Sequence, residues 1–301
     1  MVISQVSEQF LNHCRSAVSL STHTLRAYES DLNDVRRYFG SNKKISVVGT
    51  EDLRSYIRYL RDQRKFKETS IKRRIACMKL LFRWAQRENL IESNPFEALH
   101  ERIRLPRRLP RALDSIDTAQ LRKNVAQTNH SDGFDLLCHK TAILLLLETG
   151  IRVGELASIN IADVSISDRC IRINGKGNRQ RLVYLLSPAV HRVLELYLPK
   201  RLMIDPGSER LFVTATGKLL TAPKVRLALR TLSKQASITT HITPHMLRHT
   251  CATRWLEAGL DIRYVQKLLG HHSISTTEIY THVSDQGLRE ALTRAVGGEK
   301  R

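Results

Sequence analysis

The chain has 301 residues, 42% of them hydrophobic, enough for one large core or two ordinary ones, which excludes a fold that depends on cross-links. Its 49 Lys+Arg against 29 Asp+Glu leave a formal charge of +20, favouring a polyanionic partner: nucleic acid first, an anionic membrane surface second. Residues 1–112 hold 23 basic and 12 acidic side chains and residues 113–301 hold 26 and 17, so neither half is merely a basic tail.

The five cysteines (Cys14, Cys77, Cys138, Cys170, Cys251) are scattered, odd in number and never spaced C-x-x-C. This argues against a disulfide framework or zinc ribbon and points to reduced thiols in a cytoplasmic protein. The longest aliphatic run, Ala142 to Leu147, is far short of the roughly 20 residues that span a bilayer, and the N-terminus has no signal-peptide pattern. No membrane partner is expected.

The first hundred residues read as four helices. Leu25, Tyr28, Leu32, Val35 and Phe39 recur at helical spacing behind the cap candidates Ser21 and Thr22, and Gly40 stops the run. From about Thr69 to Glu88, Ile71, Ile75, Met78 and Phe82 share one helix face while Lys72, Lys79, Arg83 and Arg87 share another. One face packs; the other suits a row of phosphates or plain solvation, and the spacing alone does not separate these. Residues 101–112, ERIRLPRRLPRA, combine five arginines with Pro106 and Pro110, which permits neither a continuous helix nor a sheet ladder. A domain boundary is expected there. A basic extended linker suits a protein that wraps a duplex, with Arg104, Arg107 and Arg108 as DNA contacts, although an ordinary charged loop reads the same way.

Beyond the linker, Phe134 to Glu148 predicts a buried helix ending at Gly150, and Ile151 to Ile159 opens another. Cys170 to Ile173 and Arg181 to Leu186 are short β-prone segments around a turn-rich Asn174-Gly-Lys-Gly-Asn178, which reads as a hairpin. Helical patterns resume at about Pro188 to Tyr197, Ala222 to Gln235, Pro244 to Ala258, Asp261 to Leu269 and Ser273 to Thr281. The fold class is therefore mainly α: an N-terminal four-helix domain plus a mostly helical domain with a small antiparallel sheet.

Three clusters stand out: Thr149-Gly-Ile-Arg-Val-Gly-Glu-Leu156, Thr243-Pro-His-Met-Leu-Arg-His-Thr250, and Leu268-Leu-Gly-His-His272 followed by Thr276-Thr-Glu-Ile-Tyr-Thr-His282. With the Gly175-Lys176-Gly177 loop they resemble the tyrosine recombinases, or phage integrase family. The resemblance implies an active site of Arg152, Lys176, His245, Arg248, His271 and Tyr280. It implies a core-binding domain at 1–103, a linker at 104–112, a catalytic domain at 113–283 and a tail at 284–301. The reaction it implies is strand exchange between two duplex recombination sites through a 3′-phosphotyrosyl ester, with no metal or other cofactor.

The residue types suit that chemistry. A phosphodiester under attack gains charge on its non-bridging oxygens, and guanidinium forks match those oxygens. Glu155, one helical turn beyond Arg152, can hold that guanidinium in place, although a surface ion pair is the ordinary fate of such an arginine. Lys176, in a glycine-bounded loop, can protonate the departing 5′ oxygen, and neither Lys218 nor Lys224 lies in a comparable turn. His245 and Arg248, three apart behind Pro244, project from one face, where His245 can accept the tyrosine proton or hydrogen-bond the phosphate. His249 completes an i,i+4 histidine pair, but the H-E-x-x-H glutamate and a third ligand are missing. A phenol with pKa near 10 needs cations to stabilise its oxyanion, and these residues supply them for Tyr280. No G-x-x-x-x-G-K-[ST] occurs, and a phosphotyrosyl ester needs no nucleotide because it keeps the bond energy.

After Tyr280, Ser284 can cap a helix carrying Leu288, Leu292 and Val296 and ending at Gly297-Gly298. That stripe either folds back on its own domain or, as the resemblance implies, docks on a neighbouring protomer in a homotetramer with cyclic tail exchange. Three other readings compete: a monomeric type IB topoisomerase-like relaxase, a DNA-binding regulator that merely holds phosphates, and a polybasic membrane-surface protein. The target site, and any need for a partner recombinase or accessory protein, stay open.

Overall fold

The computed structural model describes residues 1–18, 20, 22–99, 112–175, 180–204 and 208–270. The chain divides into two compact units, Met1–Arg107 and Arg108–Arg301. Of the expected linker 104–112, only Ala112 lies within the described residues.

The first unit is a four-helix domain: α1 (Ile3–Ser16), α2 (Thr22–Phe39), α3 (Thr50–Asp62) and α4 (Glu68–Arg87). Gly40 stops α2 because it takes the left-handed φ of +85° that other residues resist. α4 packs against each of the other three. As its spacing predicts, Ile71, Ile75, Met78 and Phe82 are buried and Lys72, Lys79, Arg83 and Arg87 are exposed. Arg74 is buried instead, and the half-exposed Arg73 reaches across to α2. Arg74 Nε donates to Asp34 at 2.8 Å and Arg73 to Asp31 at 2.6 Å, tying α4 to α2. The Arg74 guanidinium also covers the Phe66 ring at 3.9 Å. Burial pushes the Asp31 carboxyl above its ordinary pKa even with these arginines beside it, so desolvation outweighs pairing there.

The second unit is built around α6 (Phe134–Thr149), whose residues from Lys140 to Leu147 are all buried. A helix apolar all round must be enclosed, and α5 (Ser115–Ala126), α8 (Pro188–Leu202), α9 (Ala222–Gln235) and α10 (Pro244–Glu257) pack against it. Lys140 is the charged exception in that run, and it donates to Asp132 at 2.9 Å and to the Gln127 carbonyl at 2.7 Å. Two further helices, α7 (Val153–Leu156) and α11 (Ile262–Leu269), flank the sheet of β1 (Val164–Ser165), β2 (Cys170–Asn174) and β3 (Gln180–Tyr184). The sheet is antiparallel in the order β1-β2-β3, with Asn174 opposite Gln180 at the mouth of the hairpin.

Two expectations need correction. The helix expected over Ile151 to Ile159 is only the four residues of α7, because the chain leaves it to meet residues 209–211: Leu211 N donates to Ile159 O and Ile161 N to Glu209 O. The helix expected to end near Tyr197 runs on to Leu202 through Pro199. Tertiary anchors hold it there, with the Tyr197 hydroxyl on Leu211 O at 2.8 Å and Arg201 on Arg210 O and Ser208 O. The sequence patterns do not predict α5 and β1. α5 buries only Thr118, Leu121 and Val125, a stripe too thin to register, although Asp114 caps it by accepting from Asp117 N at 2.7 Å.

Candidate active site

Gly150 is the hinge on which the site forms. It caps α6 in the left-handed conformation at φ +62°, and an added Cβ would lie 2.9 Å from Leu269 Cδ2 and 3.4 Å from Cys251. The chain can thus turn out of the core helix while touching both α10 and α11, and two residues later it presents Arg152 at the N-cap of α7.

The Arg152 side chain is about half exposed, at 48%. Its Nη1 donates to Glu155 Oε1 at 2.8 Å and its Nη2 to Gly270 O at 3.3 Å. The Glu155 carboxylate also caps α7, accepting from Arg152 N at 2.8 Å. Burial opposes ionisation of Glu155. Hydrogen bonds from Arg181 and from the Arg152 amide and guanidinium overcome it and bring its pKa down to about 2.

α10 starts at Thr243, whose hydroxyl accepts from Met246 N at 3.2 Å, with Pro244 in its first turn. His245 is exposed at this end of the helix. One turn on, Arg248 is buried, donating from Nη1 to Gly150 O and from Nη2 to Leu269 O, both at 2.7 Å. His249 is buried, unlike His245, so the i,i+4 pair divides between the interior and the surface. Among the described residues no three His, Cys, Asp or Glu side chains gather in a metal-holding arrangement.

The structure thus joins Arg152, Glu155 and Arg248 in one network, and it adds a member that the sequence patterns do not single out. Arg181 on β3 meets Glu155 with both terminal nitrogens, at 3.1 and 2.8 Å, and its Nε donates to Leu268 O at 2.8 Å. Three consecutive carbonyls at the end of α11 therefore each receive a different arginine: Leu268 from Arg181, Leu269 from Arg248 and Gly270 from Arg152. A helix C-terminus leaves its last carbonyls without intrahelical donors and carries partial negative charge, so it attracts cations. The available signal was strand alternation, which puts Arg181 on the same inner face as buried Val183. A charge in that register needs a partner.

The remaining site residues fall outside the described residues: Lys176 in the hairpin loop, His271, Tyr280, and the linker arginines Arg104, Arg107 and Arg108. So do the helix expected over Ser273 to Thr281 and the tail at 284–301.

The phage integrase family model matches residues 115–287, and a model of the phage integrase N-terminal SAM-like domain matches residues 7–89. The chain is 37% identical over 299 residues to a tyrosine recombinase XerC of Listeria welshimeri, covering 96% of this chain and 97% of that one. It is 33% identical over 289 residues to a tyrosine recombinase of Agathobacter rectalis, covering 94% and 93%. In fold it is similar to a XerH site-specific recombinase bound to a palindromic difH substrate in a post-cleavage complex, with a TM-score of 0.77, 22% identity and coverage of 95% and 84%. With a family match over more than half the chain, and relatives alike over nearly its whole length, the chain belongs to the phage integrase family of tyrosine recombinases.

Proposed function

We propose that this chain is a site-specific DNA recombinase that cuts and rejoins strands through a 3′-phosphotyrosyl ester on Tyr280. The observation that carries the reading is the seating of Arg152 and Arg248 on the same helix end, with Arg152 half exposed and His245 exposed one turn before Arg248. Fixed guanidiniums suit a phosphorane, because donors held in place before reaction need no reorganisation when charge develops. Tyr280, ten residues past Gly270, supplies the nucleophile.

In the step proposed, the Tyr280 oxygen bonds to phosphorus as the bond to the 5′ oxygen breaks. The phenolic proton passes to His245, and Lys176 donates a proton to the departing 5′ oxygen. Arg152, Arg248 and His271 hold the non-bridging oxygens. The reverse reaction, with a 5′ hydroxyl from a second duplex, completes exchange. Because the ester keeps the bond energy, the step needs no nucleotide, and the guanidiniums stabilise the charge that Mg²⁺ stabilises elsewhere.

Duplex DNA is the partner this reading requires, and its contacts are assigned to the exposed face of α4 (Lys72, Lys79, Arg83, Arg87) and to Arg104, Arg107 and Arg108. The relation to XerH, solved on a difH substrate, supports a DNA site as ligand. The proposed boundaries are a core-binding domain at 1–103, a linker at 104–112, a catalytic domain at 113–283 and a tail at 284–301 that exchanges cyclically among four protomers.

The decisive test incubates the chain with nicked duplexes drawn from a randomised pool and resolves covalent adducts on denaturing gels. The unaltered protein should form adduct with a subset of sequences. Tyr280→Phe, which removes one hydroxyl, should bind the same duplexes with unchanged affinity and form none. Persistent adduct in that variant would move the nucleophile elsewhere.

A further inference from the structure

Arg181 occupies an inward position on β3, on the same face as Val183 and opposite Ile173 across the ladder. Strand alternation calls for an apolar side chain there. A guanidinium in such a place is costly to desolvate and survives only where its geometry is satisfied. Here its side chain is 12% exposed and all three of its nitrogens are engaged by Glu155 and Leu268 O. Gly270 makes room for it: a Cβ on that residue would lie 3.0 Å from Arg181 Nη1 and 3.2 Å from Cζ.

The three segments that meet at Arg181 each lead to a different part of the proposed site. Glu155 belongs to α7, whose N-cap is Arg152. β3 is the return strand of the hairpin whose loop holds Lys176. Leu268 and Gly270 end α11, and His271 follows directly. Glu155 Oε1 is moreover shared, with Arg152 Nη1 at 2.8 Å and Arg181 Nη1 at 3.1 Å. A carboxylate divided between two guanidiniums leaves the trio with net positive charge, whereas one left to Arg152 alone would pair it fully and draw it away from an incoming anion.

We propose that Arg181 is a positioning residue for strand cleavage: by holding Glu155 and the end of α11 together, it keeps Arg152 incompletely paired and aimed at the scissile phosphate. This rests on the recombinase reading above. Lysine cannot replace it, since a single ammonium cannot span both carboxylate oxygens and a carbonyl in one plane.

The test is single-turnover cleavage of a nicked duplex that the unaltered chain itself selects, at saturating protein and well below the melting temperature of every variant. Arg181→Ala should bind that duplex with unchanged Kd and cleave it on the order of 10²-fold more slowly, the loss typical of a slight misplacement of reacting groups. Arg181→Lys, which keeps the charge and the stem if the alanine variant does not fold, should recover only a minor part of the rate. In the background of Glu155→Ala, removing Arg181 should add little, because the two act as one unit. Cleavage at the unaltered rate in Arg181→Ala, full recovery by lysine, or additive losses with Glu155→Ala would each overturn the inference while leaving the recombinase reading intact. A wild-type chain that forms no adduct with any duplex would overturn that reading, and this inference with it.

Discussion

Each unit of this protein buries arginine side chains, and Arg74 and Arg248 are held differently. In the N-terminal unit Arg74 lies between carboxylates, with Asp34 at 2.8 Å and Asp31 at 3.9 Å, and stacks on Phe66. In the C-terminal unit Arg248 is seated on the carbonyls of Gly150 and Leu269, both at 2.7 Å. A carboxylate fixes a guanidinium and cancels its charge, which makes a structural tie between helices. A carbonyl fixes a guanidinium through partial charge alone; such a seat is a structural tie for Arg201, on Ser208 O and Arg210 O, and on the proposed function the seat of Arg248 serves a phosphate. On α4, Arg73 is paired with Asp31, while Lys72, Lys79, Arg83 and Arg87 are exposed.

The sharpest way to break this comparison is to remove each arginine in turn. Arg152→Ala and Arg248→Ala should each lose about 10²-fold or more in cleavage rate, as for a missing oxyanion donor. Arg74→Ala should leave the rate per folded molecule unchanged but cost about 3–5 kcal/mol of stability, the usual penalty for orphaning buried charges. Cleavage kinetics and thermal melts on all three variants decide it. If Arg74→Ala cleaves as poorly as Arg248→Ala at equal folded fraction, the distinction between the two seats collapses.

Acid probes Glu155, the carboxylate that joins Arg152 and Arg181. The folded pKa of Glu155, about 2, lies below its ordinary carboxylate value. Its pairing therefore contributes fully above about pH 4.5, and the contribution fades as pH falls toward 2. The amount at neutral pH is on the order of 3 kcal/mol. Denaturant melts should show Glu155→Gln less stable by roughly that amount at pH 7, with the gap to the unaltered chain closing through this window. A gap independent of pH would mean that Arg152 and Arg181 do not stabilise the ionised form.

The smallest expected effect sharpens the reading of α4. Replacing Lys72, Lys79, Arg83 and Arg87 with alanine should reduce the slope of log binding constant against log salt by about one for each phosphate no longer neutralised. Stability should barely change, because none of the four is buried. A slope equal to that of the unaltered chain would make this face plain solvated surface.

Much of the fold was legible because local rules suffice for it. The α4 stripe, the stop at Gly40 and the cap at Gly150 follow from helical period and from glycine's access to positive φ. α9 spans the predicted residues 222–235 for the same reason. The length of α7 was not legible, since it ends where residues 209–211 pair with the chain that follows it, a competition that no window of neighbouring residues contains. In the candidate site, Arg152, Glu155, His245 and Arg248 could be picked out as residue types at the right spacings, and so could the pairing of Arg152 with Glu155, but not Arg181 or the backbone carbonyls that receive the arginines.

By itself the sequence determined the family, the mainly helical class, the basic surplus in both halves and the identity of the polar groups available for phosphate chemistry. These depend on composition, period and motif spacing, which are properties of the chain before it folds. Tertiary structure alone decided which carbonyls and carboxylates each arginine meets. Arg181 finds Glu155 from 26 residues away and Leu268 from 87, and Arg248 reaches Gly150 across 98. Contacts over such separations form only when packing of the core helix, the hairpin, α10 and α11 brings their ends together, so the partners of each guanidinium are set by the fold.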